Sequence, residues 1–388
     1  MAVSFSYRGT LPGSKSLFIR ALVAGSYAPQ LEVVGHGDSE DVALTRQGLD
    51  SLEKGGDIEC GDAGTVLRFL ALRASRVPGE HTLVGSTRLF SRPIAELQQV
   101  LAGLGVTTDL GDRRLTVRSD GWDARKVTVD CSRSSQFASG LLANCWGLDS
   151  PLSITLENLS ASQGYWEMTL DVVRRLGMDV QVEGDRVLVP KGQTVTAASY
   201  EVEVDMGCAF AVAAVAAVTG EAMIADFPSV SLQPDARFVE LLAQMGATIG
   251  FKSGALRVGK APELAGVDVH LGGSPDLFPV MGALAGVAAG VSELRGAPQL
   301  RFKESDRITK VTELVVGMGR DVDTRQDGVR ISGGVGPTEP FSFDADEDHR
   351  MAMAAAVARS AGTPVTITGG ESVAKSFGSF WNILGWRP

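Results

Sequence analysis

The amino-acid sequence predicts an α/β protein of two lobes, each assembled from three copies of one small unit, and three observations carry that expectation. The first is a recurring pattern: an amphipathic helix ending in a hydrophobic residue and glycine, then a strand, a polar turn and another strand. It reads IAELQQVLAGLGVTTDLGDRRLTV, TLDVVRRLGMDVQVEGDRVLV, RFVELLAQMGATIGFKSGALRV and VTELVVGMGRDVDTRQDGVRI. The second is its interval, since the equivalent glycines Gly105, Gly177, Gly246 and Gly319 lie 72, 69 and 73 residues apart. A near-constant period of this length marks a repeated subdomain. The third is a pair of Ala-rich runs, CAFAVAAVAAV and MGALAGVAAGV, too short to cross a bilayer and apolar enough to be buried helices.

Composition bounds what such a protein can do. Its 388 residues suffice for two or three domains. Acidic residues outnumber basic ones, 46 to 36, and the net charge of −10 opposes nucleic-acid or anionic-membrane binding by bulk charge. Any anionic ligand must be held by basic groups gathered locally. Cys60, Cys131, Cys145 and Cys208 form no C-x-x-C pair, which suits reduced thiols, and His36, His81, His270 and His349 are scattered, so no metal-ligand spacing occurs. The N-terminal MAVSFSYRGT has no basic head before an apolar stretch, so no signal peptide is expected, and the protein reads as cytoplasmic.

Along the chain, a first unit precedes Gly105 with its hairpin cut down to GLDSLEKGGDIECG, and a sixth ends the chain. Near the start, GTLPGSKS approaches a nucleotide P-loop, but Gly9 and Gly13 stand one residue too close and Ser14 intrudes before Lys15. What remains is GSKSLFIRA, with Lys15 opening a helix and Ser16 and Arg20 on one face, either an anion site or a solvated basic turn. GDAGTVLRFL lets a backbone approach a ligand, with Thr65 available as a cap and Arg68 along the helix, or is a plain strand-to-helix turn. STRLFSRPIAEL sets Arg92 before Pro93, expected at a first helical position. SRSSQFASGLL begins an apolar helix with Ser134, Ser135 and Gln136, as caps or as oxygen-binding groups. SQGYWEM adds Ser162 and Tyr165. RFKESDRITK packs Arg301, Lys303, Glu304, Asp306 and Arg307 together, with Lys303 and Arg307 expected on one helix face. DEDHRMAMAAAVA places Asp348, His349 and Arg350 at the mouth of a helix apolar on all sides, where charge is costly unless paired or liganded.

Read together and in order, LPGSKS, GDAGT, SRPIAEL, SSQF, SPD, KESDR, DHRMAM and AKSF resemble the 5-enolpyruvylshikimate-3-phosphate synthase family of enolpyruvyl transferases, from Leu11 to Phe377. The resemblance implies the family's two-lobed fold, an inside-out α/β barrel of three βαβαββ units per lobe. It divides the chain into residues 14–203 for the first lobe and 1–13 with 204–388 for the second, the two crossings forming a hinge. It implies transfer of the enolpyruvyl group of phosphoenolpyruvate to the 5-hydroxyl of shikimate 3-phosphate, releasing phosphate, with no metal or organic cofactor. By position, Lys15, Ser16, Arg20, Ser134, Ser135, Gln136, Ser162, Tyr165, Asp276, Gln299 and Lys303 are expected to hold shikimate 3-phosphate. Lys15, Gly64, Arg92, Gln136, Arg307, Arg350 and Lys375 are expected to hold phosphoenolpyruvate. Asp276 is the implied base and Glu304 the implied acid, with Lys15 assisting, in a monomer.

Three positions depart from the family's pattern: Asp62 stands for a usual asparagine, Phe69 for a common proline, and Gln299 for an asparagine. The first two bear on glyphosate, the family's inhibitor that competes with phosphoenolpyruvate. Two other readings are distinguishable. A UDP-N-acetylglucosamine enolpyruvyl transferase shares the fold but presents a reactive cysteine on a mobile loop and lacks GSKS combined with KESDR. A non-catalytic phosphosugar-binding protein gains nothing from Asp276 and Glu304.

Overall fold

The structure is a computed structural model that describes residues 5–386 apart from 38, 160–161, 335 and 337, so the first four and last two residues assigned to the second lobe lie outside it. The chain forms two compact units, one of residues 14–202 and one of residues 1–13 with 203–388.

In the 14–202 unit, the interior is three helices, Lys15–Gly25, Gly64–Ala74 and Gln136–Ala143, buried along almost their whole length. Their sequences (KSLFIRALVAG, GTVLRFLALRA, QFASGLLA) are dominated by Leu, Ala and Phe with no β-branched run, so they are helical by propensity and apolar all round. Two four-stranded sheets belong to this unit. One runs Ile58–Glu59, Gly79–Val84, Arg114–Ser119, Thr107–Leu110, and the other Lys126–Asp130, Leu152–Glu157, Arg186–Val189, Gln181–Glu183. In both, the first pair is parallel and the other two pairings are antiparallel. A third sheet has only two strands, Glu32–Val34 beside Ser199–Glu201.

The other unit repeats the design. Its interior helices are Met206–Thr219, Phe278–Val287 and His349–Ser360. One four-stranded sheet begins with Ser6–Gly9 paired in parallel to Glu221–Ile224, which ties the N-terminal segment to residues from the distant half of the chain. The other begins with Asp268–His270 beside Gly290–Arg295. Phe341–Asp344 and Val365–Thr368 make a parallel two-stranded sheet.

All four glycines that mark the repeat have positive φ, from 74° at Gly319 to 109° at Gly177, the left-handed conformation that stops a helix and turns the chain into the hairpin. One expectation is corrected. GLDSLEKGGDIECG is not a trimmed hairpin; it ends the helix Glu40–Lys54 and then supplies the strand Ile58–Glu59 of the next sheet. Gly55 and Gly56, at φ 80° and 133°, stop the helix, and Ile58 pairs in parallel with Leu83, so no residues remain for a turn and return strand. The sixth unit likewise has only a two-stranded sheet.

Candidate functional site

In both units the buried helices begin where the chemistry-bearing residues stand. Lys15, Gly64 and Gln136 are the first residues of the three interior helices of the 14–202 unit. Helix N-termini carry unpaired N–H groups and positive potential, which suits anions.

The Gly64 and Gln136 ends meet through side chains: Gln136 donates to Thr65 Oγ1 at 3.0 Å and accepts from Arg68 Nη1 at 2.7 Å. A Cβ at Gly64 would lie 2.6 Å from Arg68 Nη1 and 2.8 Å from Arg92 Nη1, so two guanidinium groups crowd this helix end. Arg92 Nε is buried without a hydrogen-bond partner. Like charges this close, with a buried donor unmet, are costly until an anion joins them.

Arg20 is buried elsewhere in the same unit. Only 2% exposed, it donates to Thr169 Oγ1 at 2.8 Å, to the Ser16 carbonyl at 2.7 Å and to the Tyr165 carbonyl at 3.3 Å, all neutral acceptors. Burial pushes its pKa down to about 10, with Tyr165 and Tyr200 acting the other way. The ring of Phe69, fully buried, lies 5.1 Å beneath the guanidinium, so the aromatic residue that replaces a common proline packs under a predicted substrate ligand. Ser135 donates to the Ser162 carbonyl at 2.9 Å, while the Ser134 hydroxyl accepts from Gln136 N. Ser162 itself takes a left-handed conformation, φ 61°, before the helix Gln163–Arg175. Lys15 pairs with Asp41 at 2.9 Å, both largely buried. Asp62, the other departure, accepts from the Ser86 hydroxyl, and its carbonyl accepts from Arg92 at 3.5 Å.

The second unit gathers a denser cluster around Asp276 and Asp348. Arg307, whose side chain is 1% exposed, donates to Asp276 at 2.8 Å, to Glu304 at 2.7 Å and to Asp348 at 2.8 Å. Asp276 also meets Arg350 at 2.8 Å and Lys303 at 3.8 Å. Burial pushes the Asp276 carboxyl up, but Arg350, Lys303 and Arg307 outweigh it and hold it well below the usual carboxylate range. Burial pushes the Arg307 pKa down, and Asp348, Glu304 and Asp276 more than reverse that, so it stays charged. Gln299, 4% exposed, donates to the Gly272 carbonyl at 3.0 Å. Lys375 donates to the Glu347 carbonyl at 2.9 Å. That carbonyl is set by two successive non-glycine residues in left-handed conformation, Asp346 and Glu347 at φ 52° and 53°. Such backbone costs about 1–3 kcal/mol per residue and persists where a site over-determines it.

Three local expectations fail for capping reasons. Lys303 and Arg307 do not share a helix face: Asp306 accepts from Ile308 N and Thr309 N, so the helix starts at Arg307 and Lys303 lies in the preceding turn. Thr65 is not a cap; the cap position is Ala63 and the Thr65 hydroxyl serves Gln136. Pro93 is not the first helical residue, because the helix runs Ala95–Gly103 and Arg92 closes the short helix Thr87–Ser91. Arg301 turns away from the cluster, to Asp306 and to the carbonyls of Arg325 and Gln326.

Sequence reasoning left out Asp41 and gave no site role to Arg68 or to Asp348 as the partner of Arg307. Arg68 sits one turn beyond Gly64, a spacing that points both at the same ligand position. Asp41 carries no such signal, since only folding brings it to Lys15.

All four cysteines are buried. Burial pushes the thiols of Cys131 and Cys145 up to about 12 and that of Cys60 higher still. The folded protein is therefore expected to leave Ellman's reagent at pH 8 essentially unreduced until denaturant is added. One thiol reacting within seconds in the native state would contradict this. Among the described residues no group of His, Cys, Asp and Glu is placed to hold a metal ion, and no helix is long and apolar enough to cross a membrane.

Comparison with known proteins shows what the chain as a whole resembles. Residues 29–384 match the sequence pattern of the family described as EPSP synthase (3-phosphoshikimate 1-carboxyvinyltransferase). A 3-phosphoshikimate 1-carboxyvinyltransferase of Syntrophobacter fumaroxidans is 33% identical over 97% of this chain and 95% of its own. One of Methanoculleus marisnigri is 31% identical over 96% and 94%. Among solved structures, EPSP synthase from Acinetobacter baumannii superposes with a TM-score of 0.77 at 24% identity, over 98% of this chain and 95% of that one. The enolpyruvyl transferase NikO from Streptomyces tendae gives 0.74 at 15% identity, over 99% and 94%.

Proposed function

We infer the chemistry from one premise: the chain belongs to the EPSP synthase (3-phosphoshikimate 1-carboxyvinyltransferase) family, and its fold is that of the enolpyruvyl transferases. It is an enzyme that moves the enolpyruvyl group of phosphoenolpyruvate to the 5-hydroxyl of shikimate 3-phosphate. The 5-oxygen attacks C2 of phosphoenolpyruvate while its proton goes to a base and C3 takes a proton from an acid. The tetrahedral adduct then loses phosphate from C2 and a proton from C3, restoring the double bond.

The observation that carries the assignment of roles is the crowding of Arg68 and Arg92 over Gly64, with the Arg92 Nε buried and unmet. A phosphate or carboxylate there turns two repelling cations into a bidentate clamp. Phosphoenolpyruvate is assigned to Lys15, Gly64, Arg92, Gln136, Arg307, Arg350 and Lys375, with Arg68 added. Arg20, Ser16, Ser134, Ser135, Ser162, Tyr165, Gln299 and Lys303 hold shikimate 3-phosphate. Arg20 suits its phosphate because three of five guanidinium N–H groups reach neutral acceptors and none of those removes the charge.

Asp276 as base requires a change on binding. Ion-paired to three cations it is a weak proton acceptor. When Arg350 and Lys303 turn to the substrates' anionic groups, their hold on Asp276 weakens and its basicity rises towards what the 5-hydroxyl needs. Glu304 supplies the proton to C3, and Lys15, drawn from Asp41, neutralises charge on the phosphate as it leaves. The reading takes the enzyme to work in the cytoplasm, which its four buried thiols suit, and as a monomer, since one chain carries every assigned residue.

The test mixes protein and phosphoenolpyruvate with either shikimate 3-phosphate or UDP-N-acetylglucosamine and measures released phosphate. Release with shikimate 3-phosphate alone is expected. Release only with the nucleotide sugar, or tight binding without turnover, overturns the reading.

A further inference from the structure

We propose that Gly207 is a positioning residue for Arg350, the missing side chain being the seat in which the guanidinium lies. This rests on the assignment of Arg350 to phosphoenolpyruvate and adds a residue to it. A Cβ at Gly207 would come within 2.4 Å of Arg350 Nη1 and 3.3 Å of its Cζ. It would also stand 3.2 Å from Asp205 Oδ1, which is held in place by accepting from Cys208 N at 3.0 Å and so has little room to give. The guanidinium must therefore move, yet it is anchored to Asp276 at 2.8 Å and its side chain is only 10% exposed.

Nothing else explains a glycine at this position. Gly207 is not among the residues with positive φ, so the backbone does not require it. It lies in the first turn of Met206–Thr219, whose remaining sequence is mostly Ala and Val, and glycine is the weaker helix former. Helix stability is forgone there, and the three atoms nearest the vacant Cβ position, chain neighbours aside, belong to Arg350 and Asp205. The arrangement has a counterpart in the other unit, where Gly64 opens a buried helix beneath Arg68 and Arg92. Each unit thus seats arginine against the start of an interior helix by leaving out one Cβ.

The test is steady-state kinetics and thermal melting of Gly207→Ala, alone and in an Arg350→Lys background. Gly207→Ala alone is expected to raise KM for phosphoenolpyruvate at least about ten-fold, as displaced contacts of about 1 Å commonly do. KM for shikimate 3-phosphate should stay within about two-fold, and Tm should fall by no more than about 2–4 °C. Adding Gly207→Ala to Arg350→Lys should change KM for phosphoenolpyruvate less than about two-fold, because the clash has lost its partner. An unchanged KM for phosphoenolpyruvate overturns the proposal, as does a fall in Tm with both KM values raised, or an equal effect in both backgrounds. Should the parent protein fail to release phosphate, the assigned reaction falls instead. A crystal structure of Gly207→Ala then judges the seat, and a guanidinium in its original place refutes it.

Discussion

Asp276→Asn is expected to lower kcat by about 10³-fold, within the usual 10²–10⁴ range for loss of a general acid–base group, while KM for phosphoenolpyruvate changes little. The substitution is nearly isosteric but keeps one oxygen, so only one of Arg307, which meets Oδ1, and Arg350, which meets Oδ2, retains its acceptor. What it removes is the negative charge that these cations hold and the lone pair that takes the 5-hydroxyl proton. The same variant reports on acid stability. The folded-state pKa of Asp276 lies below the unfolded value of about 3.9. Its contribution is therefore fully present above that pH and is withdrawn as pH falls towards the folded value. Chemical denaturation should show the stability gap between parent and variant shrinking below about pH 4. Single-turnover phosphate release at the parental rate would remove Asp276 from the chemistry.

Arg307→Leu should destabilise the protein by about 3–5 kcal/mol, the cost of leaving buried charge without its counter-ion. Arg307 touches Asp276, Glu304 and Asp348 at once, and Asp348 is fully buried. Removing it strands Asp348 beside Ser305, whose hydroxyl donates at 3.0 Å but brings no charge. Arg307→Lys keeps the charge but cannot span three carboxylates, so it should recover part of the stability and little of the activity. Urea unfolding measures both. A Leu variant within about 0.5 kcal/mol of the parent would mean that the carboxylates are satisfied otherwise.

Much of this was legible because it is local. Helix-ending glycines, hairpin turns and apolar runs report on residues a few positions away, and the four glycines with positive φ lie where the pattern puts them. The motifs proposed to bind substrates are local for the same reason, since Lys15, Gly64 and Gln136 each open a helix. The first hairpin was misread because truncation and absence look alike until strand pairing assigns Ile58 to the next sheet.

Residue types and their order along the chain determined the repeat and the family, and picked out the cations proposed to serve the anions. Tertiary structure alone decided which carboxylate neutralises each cation: Asp41 for Lys15, and Asp348, Glu304 and Asp276 for Arg307. It also revealed that Gly207 is a space rather than a turn. The reason is physical. Charge pairing and close packing depend on separations of a few ångströms between residues tens to well over a hundred positions apart, whereas propensity and periodicity act only along the chain.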